Sequence, residues 1–268
     1  MLELNKYYAH KIENLKDFFL VCYVIIDDIY KRIIPEEIKF RRNYTQAKLS
    51  DSEIITLAIV GEIHGTSSEK SWINYVKKNF KELFPDLCHR TRFNRTRRNL
   101  ESVINEIRKE ISNYLASTTT NLYVIDSMPI HVCGFGRAHF GKRFRDISSY
   151  GYCASKKESY YGLKLHAAVT FEGYITDFEI TSANIDDRAI LWELFQKSYS
   201  FIVLGDKGYI GDRLANELKS EKDLTLLANS LSGLKTRLQC KILGHNISCF
   251  INKCLGNELG SKIKHLVF

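Results

Sequence analysis

The sequence lacks the features of a disulfide-stabilised protein, of a zinc-binding protein and of a membrane protein. Its seven cysteines are an odd number without a Cys-x-x-Cys pair, which favours a reducing compartment. His131, Cys133 and His139 are too loosely spaced to indicate a zinc site. The apolar run from Phe18 to Ile26 lacks a small-residue cleavage site and is shorter than the roughly 20 residues that span a bilayer. We therefore expect no signal peptide, no membrane contact and a location in the cytosol.

The charge of the chain is biased towards basic residues. It has 39 Lys and Arg against 31 Asp and Glu, a formal net charge of +8. This balance favours an anionic partner, of which nucleic acid is the commonest. A chain of 268 residues with 44% apolar residues can bury a substantial core, as one large domain or as a small domain beside a medium one.

The first third of the chain has the pattern of an all-helical region. Apolar residues recur at three- and four-residue steps from Leu15 to Ile33, as on the buried face of a helix. A second helix is predicted to begin with a capping box of Ser50 and Glu53 and to end near Gly65. A third helix is predicted from about Glu69 to Leu83.

The most basic stretch of the chain begins the fourth predicted helix, which continues to Leu115. Guanidinium groups at a helix N-terminus are suited to binding phosphate, and this stretch is predicted to contact DNA. The alternative is a solvated basic face above a buried Phe93. No turn signature identifies a helix that would read bases. The basic residues of the stretch are Arg90, Arg92, Arg95, Arg97 and Arg98.

A short polar stretch at residues 117–121 separates this region from a region of strand patterns. We predict a helical DNA-binding region over residues 1–117 and a second domain over residues 121–268. The second domain has the predicted order β-β-β-α-β-α-β-α, which is the order of a ribonuclease-H-like domain. The predicted fold class is therefore α+β or α/β, with a helical region followed by a mixed sheet flanked by helices. The predicted elements are strands at residues 121–130, 160–170, 174–180, 201–210 and 224–227, and helices at residues 188–195, 213–219 and 234–251.

Two of the predicted strands each carry one carboxylate, Asp126 and Asp206, which lie 80 positions apart. An unpaired charge is costly to bury, so an acid in an apolar strand usually has a cation to bind. Taken alone, each residue could instead be a turn former or a helix cap. The first and fourth strands of a ribonuclease-H-like sheet are neighbours, so the two acids could meet. Such a pair implies a shared proton or a divalent cation, and oxygen ligands suit Mg²⁺ or Mn²⁺ in a two-metal site.

A basic loop follows the first acidic strand, at residues 131–145. Its cations Arg137, Lys142 and Arg143 are spaced by glycine and aromatic residues. We include them among the predicted DNA contacts.

Five ordered motifs resemble those of insertion-sequence transposases of the DDE type, and most closely those of insertion-sequence family nine-eighty-two. Residues 92–99 and 228–235 fit the same family, so the resemblance covers nearly the whole chain. The five motifs are VIDSMPI at 124–130, SYGYCASKK at 149–157, YGLKLH at 161–166, TSANIDD at 181–187 and GDKGYI at 205–210.

The resemblance implies that Asp126 and Asp206 are the first two metal-binding catalytic carboxylates of a triad. It further implies an enzyme of the bacterial cytosol and nucleoid that works as a homo-oligomer on double-stranded DNA. Such an enzyme cuts the ends of its own mobile element and joins the freed 3′-hydroxyls to target DNA. Lys156, Lys157 and Lys164 would lie along the DNA path, as would Tyr209.

The chain departs from the family pattern at the third acid. In the family this acid is a glutamate within an Arg-rich segment after the second Asp, and no such segment follows Asp206. The domain therefore resembles one that an internal deletion has shortened after about residue 223. Glu217 and Glu221 are the nearby glutamates, and Glu217 is a weak candidate for the third ligand.

Three functions are compatible with these features. The first is an active transposase, and the second is a catalytically inactive derivative that only binds DNA. The third is an unrelated nuclease with a ribonuclease-H-like core, which would cleave without preference for particular DNA ends. Metal-dependent strand cleavage separates the first two.

Overall fold

A computed structural model describes residues 12, 14–41, 44–66, 68–116, 122–142, 144–153, 156–185, 202–204 and 231–256. The chain divides into two compact units. The helical unit comprises Met1–Tyr114 and Lys235–Phe268, and the sheet unit comprises Leu115–Leu234. No helix in the described ranges is long and apolar enough to cross a membrane.

The N-terminal helices follow the predicted pattern closely. The first helix begins after Asn14, whose side chain accepts from the amide of Asp17 at 3.0 Å. Ser50 and Glu53 form the predicted capping box, and Gly65 ends that helix in a left-handed conformation with φ of 76°. The helices are α1 (Leu15–Ile33), α2 (Glu36–Lys39), α3 (Asp51–His64), α4 (Glu69–Asn79), α5 (Arg90–Asn99), α6 (Glu101–Ala116) and α7 (Leu231–Cys254).

Two helix predictions differ from the structure. The third predicted helix ends at Asn79 instead of Leu83. The fourth is two helices, α5 and α6, which meet at Leu100. The side chain of Leu100 is buried at this junction, so the apolar pattern continues although the helix does not.

The C-terminal helix α7 packs within the helical unit, whereas the sequence placed it in the second domain. Its Arg237 binds Glu62 of α3 with an Nε to Oε1 distance of 2.8 Å. Its Asn246 donates to Ser112 of α6 at 3.0 Å, and the rings of Phe250 and Tyr114 are 5.4 Å apart. Because these partners are far away in the sequence, the residues of α7 alone do not indicate which unit the helix packs in.

The sheet unit contains one mixed sheet in the order β2-β3-β1-β5, with β4 paired to the part of β3 beyond β2. The strand β1 pairs antiparallel with β3 and parallel with β5. This agrees with the ribonuclease-H-like α+β arrangement, in which the first and fourth predicted strands are neighbours. The strands are β1 (Leu122–Cys133), β2 (Ser149–Cys153), β3 (Glu158–Thr170), β4 (Ile175–Ser182) and β5 (Ile202–Leu204).

The short strand β2 was not predicted, because its sequence SYGYC contains polar and aromatic residues around a glycine without an apolar alternation. Gly151 in β2 lies so close to the end of β4 that an added Cβ would be 2.7 Å from the carbonyl oxygen of Ala183. The predicted elements at residues 188–195, 213–219 and 224–227 lie outside the described residues.

Candidate active site

Asp126 lies in the middle of β1, where its side chain is half-buried. Its Oδ1 accepts a hydrogen bond from the amide of Ser127 at 2.7 Å. The residue opposite on β3 is Ala167, which has a small side chain. Val124 and Ile130 lie on the same face of β1 and are buried, so an apolar strand holds the carboxylate in place.

The pairing of β1 with β5 has a constant offset in sequence. Leu122 pairs with Ile202 and Val124 pairs with Leu204, an offset of 80 positions. Asp126 and Asp206 have the same offset in the sequence. Asp206 itself lies outside the described residues, as do Tyr209, Glu217 and Glu221.

The described residues contribute one carboxylate to this site. Among them there is no group of three or more His, Cys, Asp and Glu that could hold a metal ion. The carboxylate oxygens of Asp126 are the type of ligand that Mg²⁺ and Mn²⁺ prefer. Helix α7 contains no Asp or Glu that could complete the set.

The opposite face of the sheet carries a second polar group, at His166. Its side chain is buried, and its Nε2 lies 2.9 Å from the Oγ1 of Thr181. Nearby, the Nζ of Lys164 donates to the carbonyl oxygen of Ile185 at 2.9 Å. Because side chains alternate along β3, Lys164 and His166 lie on the face opposite to Asp126.

Helix α5 presents four of the five predicted arginines to solvent. Arg97 is different, because it is only 4% exposed and its Nη2 lies 2.5 Å from Oε1 of Glu69. The assignment of Arg97 to a DNA-facing surface is therefore corrected. Its position could have been predicted, since Phe93 and Leu100 lie four and three residues away on the same helical face and are also buried. The exposed arginines are Arg90, Arg92, Arg95 and Arg98.

The cations predicted around the first acidic strand are mostly exposed. Arg137 and Lys142 are exposed, and Arg143 lies outside the described residues. Lys156 and Lys157 are exposed in the turn before β3. Lys156 is 3.7 Å from a carboxylate oxygen of Glu158, an exposed ion pair that leaves it accessible to solvent.

The sequence did not assign a role to the aromatic residues near these cations. Phe135, Tyr150 and Tyr152 are exposed although their side chains are large. The signal was present, because aromatic residues alternate with basic ones from residue 135 to residue 157. Such alternation is typical of nucleic-acid surfaces.

Residues 116–246, just under half of the chain, match a family model described as the transposase DDE domain. No curated protein and no solved structure matches the chain. The matched range contains the five strands that the structure describes, and both Asp126 and Asp206. Together with the parallel pairing of β1 and β5, the match supports a DDE-type transposase.

Proposed function

We propose that the chain catalyses transposition of an insertion-sequence element, by metal-dependent cutting of the element ends and transfer of the strands to target DNA. The observation that carries this proposal is the register of β1 and β5. If their pairing continues for two residues beyond Val124 and Leu204, Asp206 is directly beside Asp126. The resemblance to insertion-sequence family nine-eighty-two supports the same assignment.

In this proposal Asp126 and Asp206 hold Mg²⁺ or Mn²⁺. The bound ions would activate water or a 3′-hydroxyl and stabilise the leaving oxygen in phosphoryl transfer. Asp126 is half-buried and paired with Ala167 of β3, which supports a fixed position for its carboxylate. The amide of Ser127 donates to Oδ1 of Asp126 and so helps to orient the carboxylate.

The DNA partner is double-stranded DNA, bound through exposed cations of both units. Each arginine that contacts a phosphate displaces counterions, so affinity should fall steeply with salt. Lys164 contributes less directly, because its Nζ already donates to Ile185. A homo-oligomer in the bacterial cytosol is part of the same proposal. The exposed contacting residues are proposed to be Arg90, Arg92, Arg95, Arg98, Arg137, Lys142, Lys156 and Lys157. Arg143, which lies outside the described residues, is proposed as a further contact.

A catalytically inactive derivative that only binds DNA is the second candidate. It is favoured by the absence of acids from α7, and by the absence of a third carboxylate beside Asp126 among the described residues. Glu217 is the candidate that would restore a complete triad. An incomplete ligand set would lower the rate by orders of magnitude while leaving the arginines intact.

The decisive experiment is cleavage of labelled DNA that carries the flanks of the gene, with Mg²⁺ or Mn²⁺. An active transposase nicks at a fixed position, and Asp126→Asn abolishes the nick. Asp177→Asn is a matched control, because Asp177 is also a half-buried strand residue whose Oδ1 accepts from the next amide, at 2.9 Å. Its register places it on the opposite face of the sheet.

Binding without nicking would support the inactive derivative. Nicking that Asp126→Asn leaves unchanged would refute both the site and the proposed function.

A further inference from the structure

The sheet unit exposes three aromatic rings close to one another, which we call the aromatic surface. It consists of Phe135, Tyr150 and Tyr152, whose exposed fractions are 54%, 53% and 63%. Phe135 begins the 3₁₀ segment that follows β1, and the two tyrosines belong to β2. A single exposed ring is common on protein surfaces, but a cluster of exposed rings is typical of a binding surface.

Two of the three rings in the aromatic surface pack against other aromatic rings. The rings of Phe135 and Tyr150 are 5.4 Å apart with an interplanar angle of 67°. Tyr150 also lies 5.1 Å from the ring of Tyr161, which is buried beneath it. Tyr150 and Tyr152 point to the same side, because they are two residues apart on a strand paired with β3. An edge-to-face arrangement leaves ring faces open for stacking.

Basic residues surround these rings. Among the described residues from 134 to 158, five cations are exposed but only two acids, which are Asp146 and Glu158. This excess of positive charge favours a polyanion as the partner. It disfavours a protein partner that has few acidic residues. The cations are Arg137, Lys142, Arg145, Lys156 and Lys157.

The aromatic surface lies on the same face of the sheet as Asp126. Tyr150 pairs with Tyr161 of β3, and Asp126 pairs with Ala167 of the same strand. Ala167 lies six positions after Tyr161 on β3, an even step, so the side chains share a face. At about 3.3 Å per residue the separation is about 20 Å, the length of about six nucleotides at 3.4 Å each.

We propose that the aromatic surface stacks the unpaired bases of single-stranded DNA next to the strand that carries Asp126. Aromatic stacking together with cations along the backbone is the usual way to bind single strands without sequence preference. Separated strands would be held here while their phosphates remain within reach of the candidate active site. The inference rests on the proposed function, because an enzyme that cuts DNA would have single-stranded DNA near its active site.

The test measures by fluorescence anisotropy the dissociation constants of two labelled DNAs. One is a single-stranded oligo(dT) of about 20 nucleotides, which is longer than one such binding site, and the other is a duplex of equal length. In the double variant Tyr150→Leu with Tyr152→Leu, which removes two stacking rings, the dissociation constant for the single strand should rise roughly 30-fold or more. The constant for the duplex should change less than about twofold, because phosphate contacts dominate it.

Two variants serve as controls for this experiment. Phe171→Leu removes a ring that is 71% exposed in the turn after β3, and the single-strand affinity should stay unchanged. Tyr152→Phe keeps the stacking ring and should bind as the unsubstituted protein does. If the double variant fails to fold by circular dichroism, Phe135→Leu tests the same surface and should weaken single-strand binding alone.

The outcomes separate this inference from the proposed function. Nicking that depends on Asp126, with single-strand affinity unchanged in the double variant, would overturn the inference and leave the function intact. Equal loss for single strand and duplex would overturn it too, since stacking predicts a selective loss. A change from dimer to monomer by light scattering, with DNA affinity unchanged, would assign the surface to a second copy instead. Selective loss without any nicking would support the surface and refute the function.

Discussion

The guanidinium of Arg237 donates two hydrogen bonds to the carboxylate of Glu62, at 2.8 Å from Nε and at 3.3 Å from Nη2. Glu62 is 6% exposed, and Lys241 and Arg97 approach the same carboxylate to 3.8 Å and 4.0 Å. Burial lowers the pKa of Arg237, but the attraction and hydrogen bonds of Glu62 outweigh it, so the pKa is raised. This cluster joins α3, α5 and α7 within the helical unit.

Glu62→Gln should strongly destabilise the helical unit. The substitution removes the buried counter-charge to which Arg237 donates, which costs about 3–5 kcal/mol, whereas Arg97 keeps its ion pair with Glu69. The free energy of unfolding in urea measures this loss. In a Trp192→Phe background the fluorescence comes from Trp72 in α4, which reports on the helical unit.

Glu82→Gln is the matched control for Glu62→Gln. Glu82 pairs with Lys16 at 2.7 Å, but both side chains are largely in solvent. Exposed pairs contribute little, so the urea midpoint should not change. Equal effects of the two substitutions would show that the Glu62 cluster is not buried as described.

Gly61→Ala should destabilise α3 despite the better helix propensity of alanine. A Cβ at Gly61 would lie 2.7 Å from Nε1 and 2.9 Å from Cε2 of Trp72. That ring is fixed, because its Nε1 donates to the carbonyl oxygen of Leu57 at 3.0 Å. Alanine adds about 1 kcal/mol of propensity, but overpacking and a displaced hydrogen bond cost more, so a net loss of about 1–2 kcal/mol is expected.

Thermal unfolding measures the effect of Gly61→Ala, with Gly134→Ala as control. A Cβ at Gly134 meets no heavy atom within 4 Å, and its φ of −58° is ordinary for alanine. The control should melt like the unsubstituted protein. A higher melting temperature for Gly61→Ala would mean that Trp72 can move away.

Local signals predicted much of the helical unit. The capping box of Ser50 and Glu53 and the left-handed Gly65 were correct, because helix ends depend on residues close in sequence. The break at Leu100 was missed, since a buried leucine continues the apolar period across it. The docking of α7 was missed because it depends on residues such as Glu62, 175 positions from Arg237.

For the candidate site, the sequence predicted the position of Asp126 better than it predicted which side chains are exposed. Asp126 stood out because an acid is unusual in an apolar strand, and the adjacency of β1 and β5 followed from element order. Exposure was harder to predict. Arg97 was grouped with its arginine neighbours by composition, whereas its burial depends on its helical face. Tyr150 and Tyr152 lie in a strand too irregular in pattern to be recognised.

Two cysteine thiols should resist alkylation in the folded protein. Burial raises the pKa of Cys240 to about 12, and it raises the pKa of Cys22 as well. The thiolate is the reactive form, so at mildly alkaline pH both should stay unmodified by iodoacetamide until the protein unfolds. Mass spectrometry of peptides measures the modification. The half-buried Cys133 and Cys153 should react before Cys22 and Cys240, and equally fast labelling of Cys240 would show that α7 opens.

The arginines of α5 should divide into DNA-binding and structural residues. Arg95→Gln and Arg98→Gln should weaken duplex binding, and each should reduce the magnitude of the slope of log affinity against log salt by about 1, because one phosphate is no longer neutralised. Both side chains are exposed, so the melting temperature should hardly change. Anisotropy titrations at several salt concentrations measure the slope.

Arg97→Gln provides the opposite pattern within the same helix. Its guanidinium is buried against Glu69, and the substitution leaves that carboxylate without its cationic partner, with the side-chain amide of Asn94 still donating to it. The melting temperature should fall, while the salt slope of the folded protein stays unchanged, because Arg97 neutralises no phosphate. A reduced slope for Arg97→Gln at unchanged stability would mean that Arg97 turns outward to DNA, and the assignment of this residue to the helical core would then be wrong.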